Sequence, residues 1–337
     1  MHVTVVGAGS WGTAVAAMVS ARAPVTLWAR RRDLADAINT ERRNPAYLPD
    51  LALPDPIAAT DSLEEAVAQA DVLVLGVPSH GMREVLSSAA AGVRSDVPII
   101  SLAKGIEHGT LMRMTEVISD VLPEHPVETI GVLTGPNLAR EIVEGQPAAS
   151  VIAMEAEGVA HELRGLFMSP TFRVYTNTDV IGSESAGAVK NVMAIAAGMA
   201  HGLGFGDNST ATLITRALAE LTRLGVAMGG RPITFSGLAG MGDLIATCVS
   251  TRSRNHQVGF GLGMGRSLDE VTAEMKMVAE GVKSTEGVLA LAARHGVEMP
   301  IAEQVGRVLY EGATPTEALT SLMAREARSE HEGIPGV

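Results

Sequence analysis

Short apolar runs alternate with amphipathic stretches through the first half of the chain, and then the short runs stop. Val3 to Val6, Val25 to Trp28, Val72 to Val77, Ile99 to Ala103, Ile130 to Leu133, Ala149 to Ala153 and Phe172 to Tyr175 are brief, apolar and bounded by polar or turn-forming residues, and read as buried strands. Ser62 to Gln69 and His80 to Ala90 have helical periodicity. This alternation predicts a doubly wound, mostly parallel sheet whose ligands lie beyond the carboxyl ends of strands. Val77-Pro78-Ser79 and Ala103-Lys104-Gly105 are strand exits of that kind. After about residue 181 only helical patterns remain, at Ser183 to His201, Ser209 to Met228, Gly281 to His295, Ala302 to Glu311 and Thr316 to Leu322. The pattern therefore predicts an α/β domain over residues 1–180, an all-α domain over 181–330 and a frayed tail over 331–337.

The first strand runs into Gly7-x-Gly9-x-x-Gly12, and an Ala-rich helical pattern follows at once. In a strand–turn–helix setting each glycine has a task. Gly7 permits the tight turn, Gly9 lets the backbone approach a pyrophosphate, and Gly12 lets the helix pack on the sheet. The amides of Ser10, Trp11 and Gly12 then face the phosphates from a helix N-terminus, where the macrodipole favours an anion. The context makes this a Rossmann-type dinucleotide loop; the competing reading is a glycine-rich turn in another α/β fold.

The second strand ends on Arg30, Arg31 and Arg32, with Asp33 only afterwards. An acidic residue usually accepts the ribose hydroxyls of NAD at this point, whereas guanidinium groups suit a 2′-phosphate. The arginines predict a preference for NADP(H), with NAD(H) also admitted. The alternative is a solvated helix start.

Composition narrows the setting. The chain of 337 residues is long enough for two cores, and with only 3% aromatic residues those cores are built from aliphatic side chains. One cysteine, Cys248, allows no intrachain disulfide and fits a reducing compartment. The start carries no basic segment or cleavage site, and no uninterrupted apolar stretch approaches the length needed to span a membrane, so a cytoplasmic protein without membrane insertion is expected. A net charge of −12 argues against nucleic acid as a partner and leaves anionic substrates to particular Lys and Arg residues.

Lysines are scarce. Lys104 leaves a buried strand in SLAKGIE, and Lys190 lies inside SESAGAVKNVMAIAAGMAHG. Ser183, Gly187, Lys190, Ala194 and Gly198 fall near one helix face, so a flat group could approach closely and meet one amine; close helix packing with a snorkelling lysine explains the spacing equally well. Asp243 and Thr247 share a face at i, i+4 in GLAGMGDLIATC. Ser253-Arg254-Asn255 could begin a helix whose amides, hydroxyl and guanidinium bind a phosphate, or could be a helix cap beside an exposed arginine. The run GFGLGMG lacks the Lys-Ser/Thr of a P-loop and reads as a turn. His and Cys spacing offers no metal site.

GAGSWGTA, LWARR, VPSH, SLAKGIE, LTGPN-LA-E, AGAVKNVMAIAAG, GLAGMGDLIATC, SRN and AEGVKSTEG occur in one order at plausible separations. Over residues 1 to about 325 the chain closely resembles the bacterial NAD(P)-dependent glycerol-3-phosphate dehydrogenases. The resemblance implies reversible hydride transfer between NAD(P)H and glycerone phosphate, giving sn-glycerol 3-phosphate for phospholipid synthesis. It implies Lys190 as the catalytic lysine and Lys104 as a contact of both cofactor and substrate. Asn191, Asp243 and Thr247 match residues around the reacting carbinol, and Ser253, Arg254 and Asn255 match the substrate-binding stretch. Ser10, Trp11, Arg30, Arg31, Gly135, Ala139, Val278 and Glu280 fall on cofactor-contact positions, with Arg254 adjoining the cofactor as well. Gly135-Pro136-Asn137-Leu138-Ala139 departs from the family's usual GPSFA, so Asn137 stands where a substrate-contacting serine is expected. The Ala- and Met-rich helical half is compatible with a homodimer.

Two rival readings share the glycine loop. One is another two-domain dehydrogenase, for a 3-hydroxy acid, ketopantoate or a pyrroline carboxylate. The other is a catalytically silent NADP-binding module. The separated Lys104, Lys190, Asp243 and Ser253-Arg254-Asn255 set discriminates against both.

Overall fold

The computed structural model describes residues 1–275, 279–327 and 329. The chain forms two compact units: Met1–Ala103 with Met114–Val180, and Lys104–Arg113 with the chain from Ile181 onward. Relative to one cut after residue 180, the Lys104–Arg113 segment is an excursion into the second unit.

The first unit is an eight-stranded sheet in the order β3-β2-β1-β4-β5-β6-β7-β8, formed by β1 (Val3–Val6), β2 (Val25–Trp28), β3 (Ile57–Thr60), β4 (Val72–Leu75), β5 (Ile99–Ser101), β6 (Ile130–Thr134), β7 (Ala148–Ala153) and β8 (Phe172–Asn177). All pairings are parallel except β6 with β7. The central strands β1, β2 and β4 are buried along their whole length, which is why they read as continuous apolar runs. Strand β3 escaped the sequence reading. Its IAAT carries two alanines, and only Ile57 is fully buried, so neither propensity nor periodicity marks an edge strand held by pairing with β2.

The second unit is helical. Its long helix Val180–Gly202 is buried along most of its length and shares a core with Asp207–Ala227, Arg254–Gly263, Glu280–His295, Pro300–Tyr310 and Pro315–Met323. Local caps fix some boundaries. Thr314 and Glu317 form a capping box ahead of Pro315, and Gly296 ends Glu280–His295 in the left-handed region at φ 64°.

Two expectations are corrected here. Most of the GFGLGMG stretch is helix, within Arg254–Gly263. A Cβ on Gly259 would come within 2.0 Å of the Ile195 carbonyl oxygen, and one on Gly198 within 2.1 Å of the His256 carbonyl oxygen. Glycines on both helices therefore let two backbones touch, which outweighs their poor helix propensity. The small-residue face at Gly198 is thus a packing face. Secondly, Pro232–Val249 does reach membrane-spanning length, with mean hydropathy 1.3 over 18 residues. Its backbone is broken, however, into a helical turn at Pro232–Phe235, a π-helical turn at Leu238–Gly242 and a helix at Asp243–Val249.

Candidate active site

In the first unit the glycine loop can be tested position by position. Gly7 has φ 118°, and a Cβ there would sit 2.7 Å from the Gly76 carbonyl carbon. A Cβ on Gly12 would lie 2.0 Å from the Gly7 carbonyl oxygen. Both glycines are demanded by the fold itself. Gly9 is different: none of the described residues lies within 4 Å of where its Cβ would be, and its extended backbone (φ −73°, ψ 178°) suits any residue. The fold gives no reason for glycine there, whereas a ligand approaching the main chain does.

Gly9 caps the helix Ser10–Val19, whose first turn holds no acidic residue. The Trp11 indole nitrogen is buried without a hydrogen-bond partner among the described residues, and its ring packs on Phe172 with centroids 6.5 Å apart. These features fit a dinucleotide pyrophosphate. Arg30 is exposed and has no ion-pair partner among the described residues, while Arg31 lies 3.6 Å from Asp33 and Arg32 lies 3.9 Å from Asp36.

Sequence reasoning missed Asn44, which anchors this loop. Fully buried, it donates to the Ala8 carbonyl at 2.9 Å and to Thr13 Oγ1 at 2.8 Å. An Asn directly before a proline in an otherwise basic stretch was the available signal.

Past β6, Gly135 adopts φ 137° against Ser150. Asn137 Nδ2 donates to Ser150 Oγ at 3.1 Å, and its Oδ1 is buried without a partner among the described residues. Ala139 opens the short helix Ala139–Val143. A buried carbonyl oxygen with no donor fits a site completed by a ligand hydroxyl or amide.

The second unit gathers most of the other candidates into one cluster. Lys190 Nζ lies 2.5 Å from Asp243 Oδ1 and donates to Thr247 Oγ1 at 2.7 Å, while Lys104 Nζ takes the other carboxylate oxygen, Oδ2, at 2.7 Å. Thr247 passes its own proton to the Asp243 carbonyl at 2.6 Å, so its oxygen is free to accept from Lys190. The i, i+4 spacing of Asp243 and Thr247 on one helical turn makes this possible.

A second chain of amides supports the first. Asn191 donates to the Lys104 carbonyl at 3.3 Å, Asn255 donates to Asn191 Oδ1 at 3.0 Å, and the Gly281 amide donates to Asn255 Oδ1 at 2.9 Å.

Lys190 is buried rather than snorkelling. Burial pushes its ammonium down from 10.5 to about 8; the Asp243 charge opposes that fall and the Lys104 charge adds to it. The result is an amine that can both give and take a proton near neutral pH. Burial pushes the neighbouring Cys248 thiol up to about 12, so it stays protonated and inert.

Ser253 caps Arg254–Gly263, its hydroxyl accepting from the His256 amide at 3.3 Å, and Arg254 is exposed in the first turn. The capping alternative thus holds for the hydroxyl. Glu280 begins the helix Glu280–His295, and Val278 lies outside the described residues.

Comparison with known proteins matches residues 2–160 to the N-terminal and residues 179–320 to the C-terminal family model of NAD-dependent glycerol-3-phosphate dehydrogenase. A glycerol-3-phosphate dehydrogenase [NAD(P)+] of Sphingopyxis alaskensis is 55% identical over 334 residues, covering 99% of each chain. One from Mycobacterium avium is 51% identical over 332 residues, covering 98% of this chain and 96% of the other. The crystal structure of glycerol-3-phosphate dehydrogenase from Coxiella burnetii superposes with a TM-score of 0.92 at 35% identity, covering 96% of this chain and 99% of that one.

Proposed function

The chain belongs to the NAD-dependent glycerol-3-phosphate dehydrogenase family, and from that premise we propose how its residues divide the work. The reaction is the reversible NAD(P)H-dependent reduction of glycerone phosphate to sn-glycerol 3-phosphate. A bound nicotinamide supplies or accepts the hydride at carbon 2.

Lys190 manages the proton. As an ammonium it donates to the oxygen that becomes the C2 hydroxyl; as an amine it takes that proton back during oxidation. The observation that carries this reading is a buried amine held between Asp243 and Thr247, where burial pushes it down to about 8. Lys104 polarises the carbonyl and stabilises negative charge as it develops on the oxygen. Asp243 keeps two cationic groups side by side that would otherwise repel.

Asn191 and Asn255 hold the Lys104 backbone and the start of Glu280–His295 in register with the lysines. Arg254 and the amides that open its helix hold the substrate phosphate, which converts binding energy into positioning. Gly135 and Asn137 line the substrate region, with the unpartnered Asn137 oxygen accepting a hydroxyl.

Gly7, Gly9, Ser10, Trp11 and Gly12 hold the pyrophosphate. Arg30 and Arg31 hold a 2′-phosphate and make NADP(H) the preferred form. Lys104, Ala139, Arg254, Val278 and Glu280 complete the cofactor contacts. The reading carries with it a cytoplasmic location, a homodimeric assembly and supply of glycerophospholipid synthesis.

The test follows NADPH absorbance with glycerone phosphate as substrate, beside ketopantoate as the rival. NADPH oxidation that requires glycerone phosphate is expected from the wild-type chain. Turnover of ketopantoate alone overturns the assignment.

A further inference from the structure

We infer that the buried Arg113–Glu184 ion pair is a positioning device that docks the Lys104–Arg113 hairpin so that Lys104 meets Asp243 beside Lys190. The inference rests on the reading of Lys104 as the group that polarises the carbonyl.

Arg113 Nη1 and Glu184 Oε2 are 2.9 Å apart, with side chains 11% and 1% exposed. Such a pair is a poor way to gain stability. Desolvation of both ions offsets much of their attraction, and well-packed apolar side chains often do as well or better. What it supplies is a fixed geometry.

Glu184 lies on the helix Val180–Gly202, seven residues before Asn191 and so on nearly the same face, two turns away. Asn191 donates to the Lys104 carbonyl at 3.3 Å, and Glu184 takes Arg113. One helix face thus grips both ends of the hairpin. Between those ends, Arg113 pairs with Ile106 in an isolated antiparallel bridge, and the Glu107 amide donates to the Met112 carbonyl at 2.9 Å. The turn is completed by Leu111 in the left-handed region at φ 62°, and Ile106 is buried in the helical core.

Arg113 is therefore coupled through one bridge to a residue two positions from Lys104. The Lys104 side chain is a flexible stem, and its placement depends on its backbone being held. Asn191 holds that backbone at the near end of the hairpin, and the ion pair at the far end closes the clamp.

The test compares wild type with Glu184→Gln, Arg113→Lys and the double variant Arg113→Met/Glu184→Leu. The readouts are Tm, kcat, KM, the pH profile of the reduction, and the Lys190 titration followed by NMR of the lysine side-chain nitrogens. In Glu184→Gln and in the double variant kcat falls by about a hundredfold, as for a reacting group displaced by roughly an ångström. The Lys190 titration and the pH limb rise by about one pH unit, because the Lys104 charge that depresses them has moved away. Arg113→Lys keeps the charge and recovers part of the loss.

The double variant separates placement from folding, since its apolar pair leaves no uncompensated ion and its Tm stays at or above that of Glu184→Gln. Wild-type kcat and an unmoved Lys190 titration in the double variant overturn the inference, as does activity loss in Glu184→Gln that merely follows the folded fraction. Failure of wild type to oxidise NADPH with glycerone phosphate sinks the functional reading instead; the NMR titration then still decides the positioning claim.

Discussion

Lys190 and Asp243 meet at 2.5 Å with both side chains almost fully enclosed, and the aspartate's second oxygen is taken by another lysine. One carboxylate therefore serves two cations. The arrangement leaves the buried ammonium short of full compensation, which is why burial prevails and its pKa falls to about 8.

Removing the amine tests the centre of this arrangement. Lys190→Ala should lower kcat by about a thousandfold, within the range for loss of a general acid–base group. NADPH affinity, followed by quenching of its fluorescence, should stay near wild type. Near-normal kcat would exclude Lys190 as the proton carrier.

The pH dependence follows from the same group. Reduction needs the ammonium, so its rate should fall as pH rises through about 8; oxidation needs the amine and should rise through the same point. Asp243→Asn removes the influence that holds the Lys190 pKa up, so both limbs should move to lower pH. Stopped-flow rates of the chemical step against pH check this, and limbs that stay at wild-type positions would reject the assignment.

Much of this centre was legible because the chemistry imposes itself on sequence. Lysines inside apolar or strand-exit contexts are rare, and Asp243 and Thr247 one helical turn apart announce a shared face. What stayed hidden depends on partners distant in the chain. Strand β3 exists through pairing with β2, not through its own IAAT. The glycines at 259 and 263 look like turn residues until Gly198 and Gly202 are seen opposite them. Ser253 reads as ligand contact or as cap, since a hydroxyl at a helix start serves either role; its bond to the His256 amide shows the cap and leaves the hydroxyl proton to donate elsewhere. The only local mark of Asn44 is its place before Pro45, and the Arg113–Glu184 pair carries no local pattern at all.

The loop glycines should separate by experiment. Gly12→Ala forces a Cβ to within 2.0 Å of the Gly7 carbonyl oxygen, so it should destabilise the fold by about 2–4 kcal/mol. Gly9→Ala meets no protein atom and should leave Tm near wild type while weakening NADPH binding by tenfold or more, on the order of 1.4 kcal/mol. Thermal melts with and without NADPH distinguish them. Unchanged affinity in Gly9→Ala would mean that no cofactor backbone contact is made there.

Cofactor choice should depend on Arg30, exposed and without an ion-pair partner among the described residues. Arg30→Ala should raise KM for NADPH on the order of tenfold, the worth of one exposed charge-assisted hydrogen bond, and leave KM for NADH nearly unchanged. Equal effects on both cofactors would move the 2′-phosphate contact elsewhere.

Glu220 offers a test of stability independent of catalysis. It lies on the helix Asp207–Ala227 and accepts the amides of Ile301 at 2.8 Å and Ala302 at 3.3 Å, capping Pro300–Tyr310 from a distant element. Burial pushes its carboxyl up from 4.5 to about 7 despite those bonds. The folded protein thus holds the Glu220 proton more tightly than the unfolded chain. The stabilisation this gives is fully present below about pH 4.5 and is lost as pH rises through about 7. Glu220→Gln cannot ionise, keeps one accepting oxygen and loses the weaker amide bond. It should carry a constant offset from that lost bond but none of the pH-dependent loss. The stability of the variant relative to wild type should therefore improve by on the order of 2 kcal/mol between about pH 5 and pH 8. Other groups titrate alike in both proteins, so the difference between the two curves isolates Glu220. Denaturant melts across that range measure it, and parallel curves would show that the carboxyl titrates in its ordinary range.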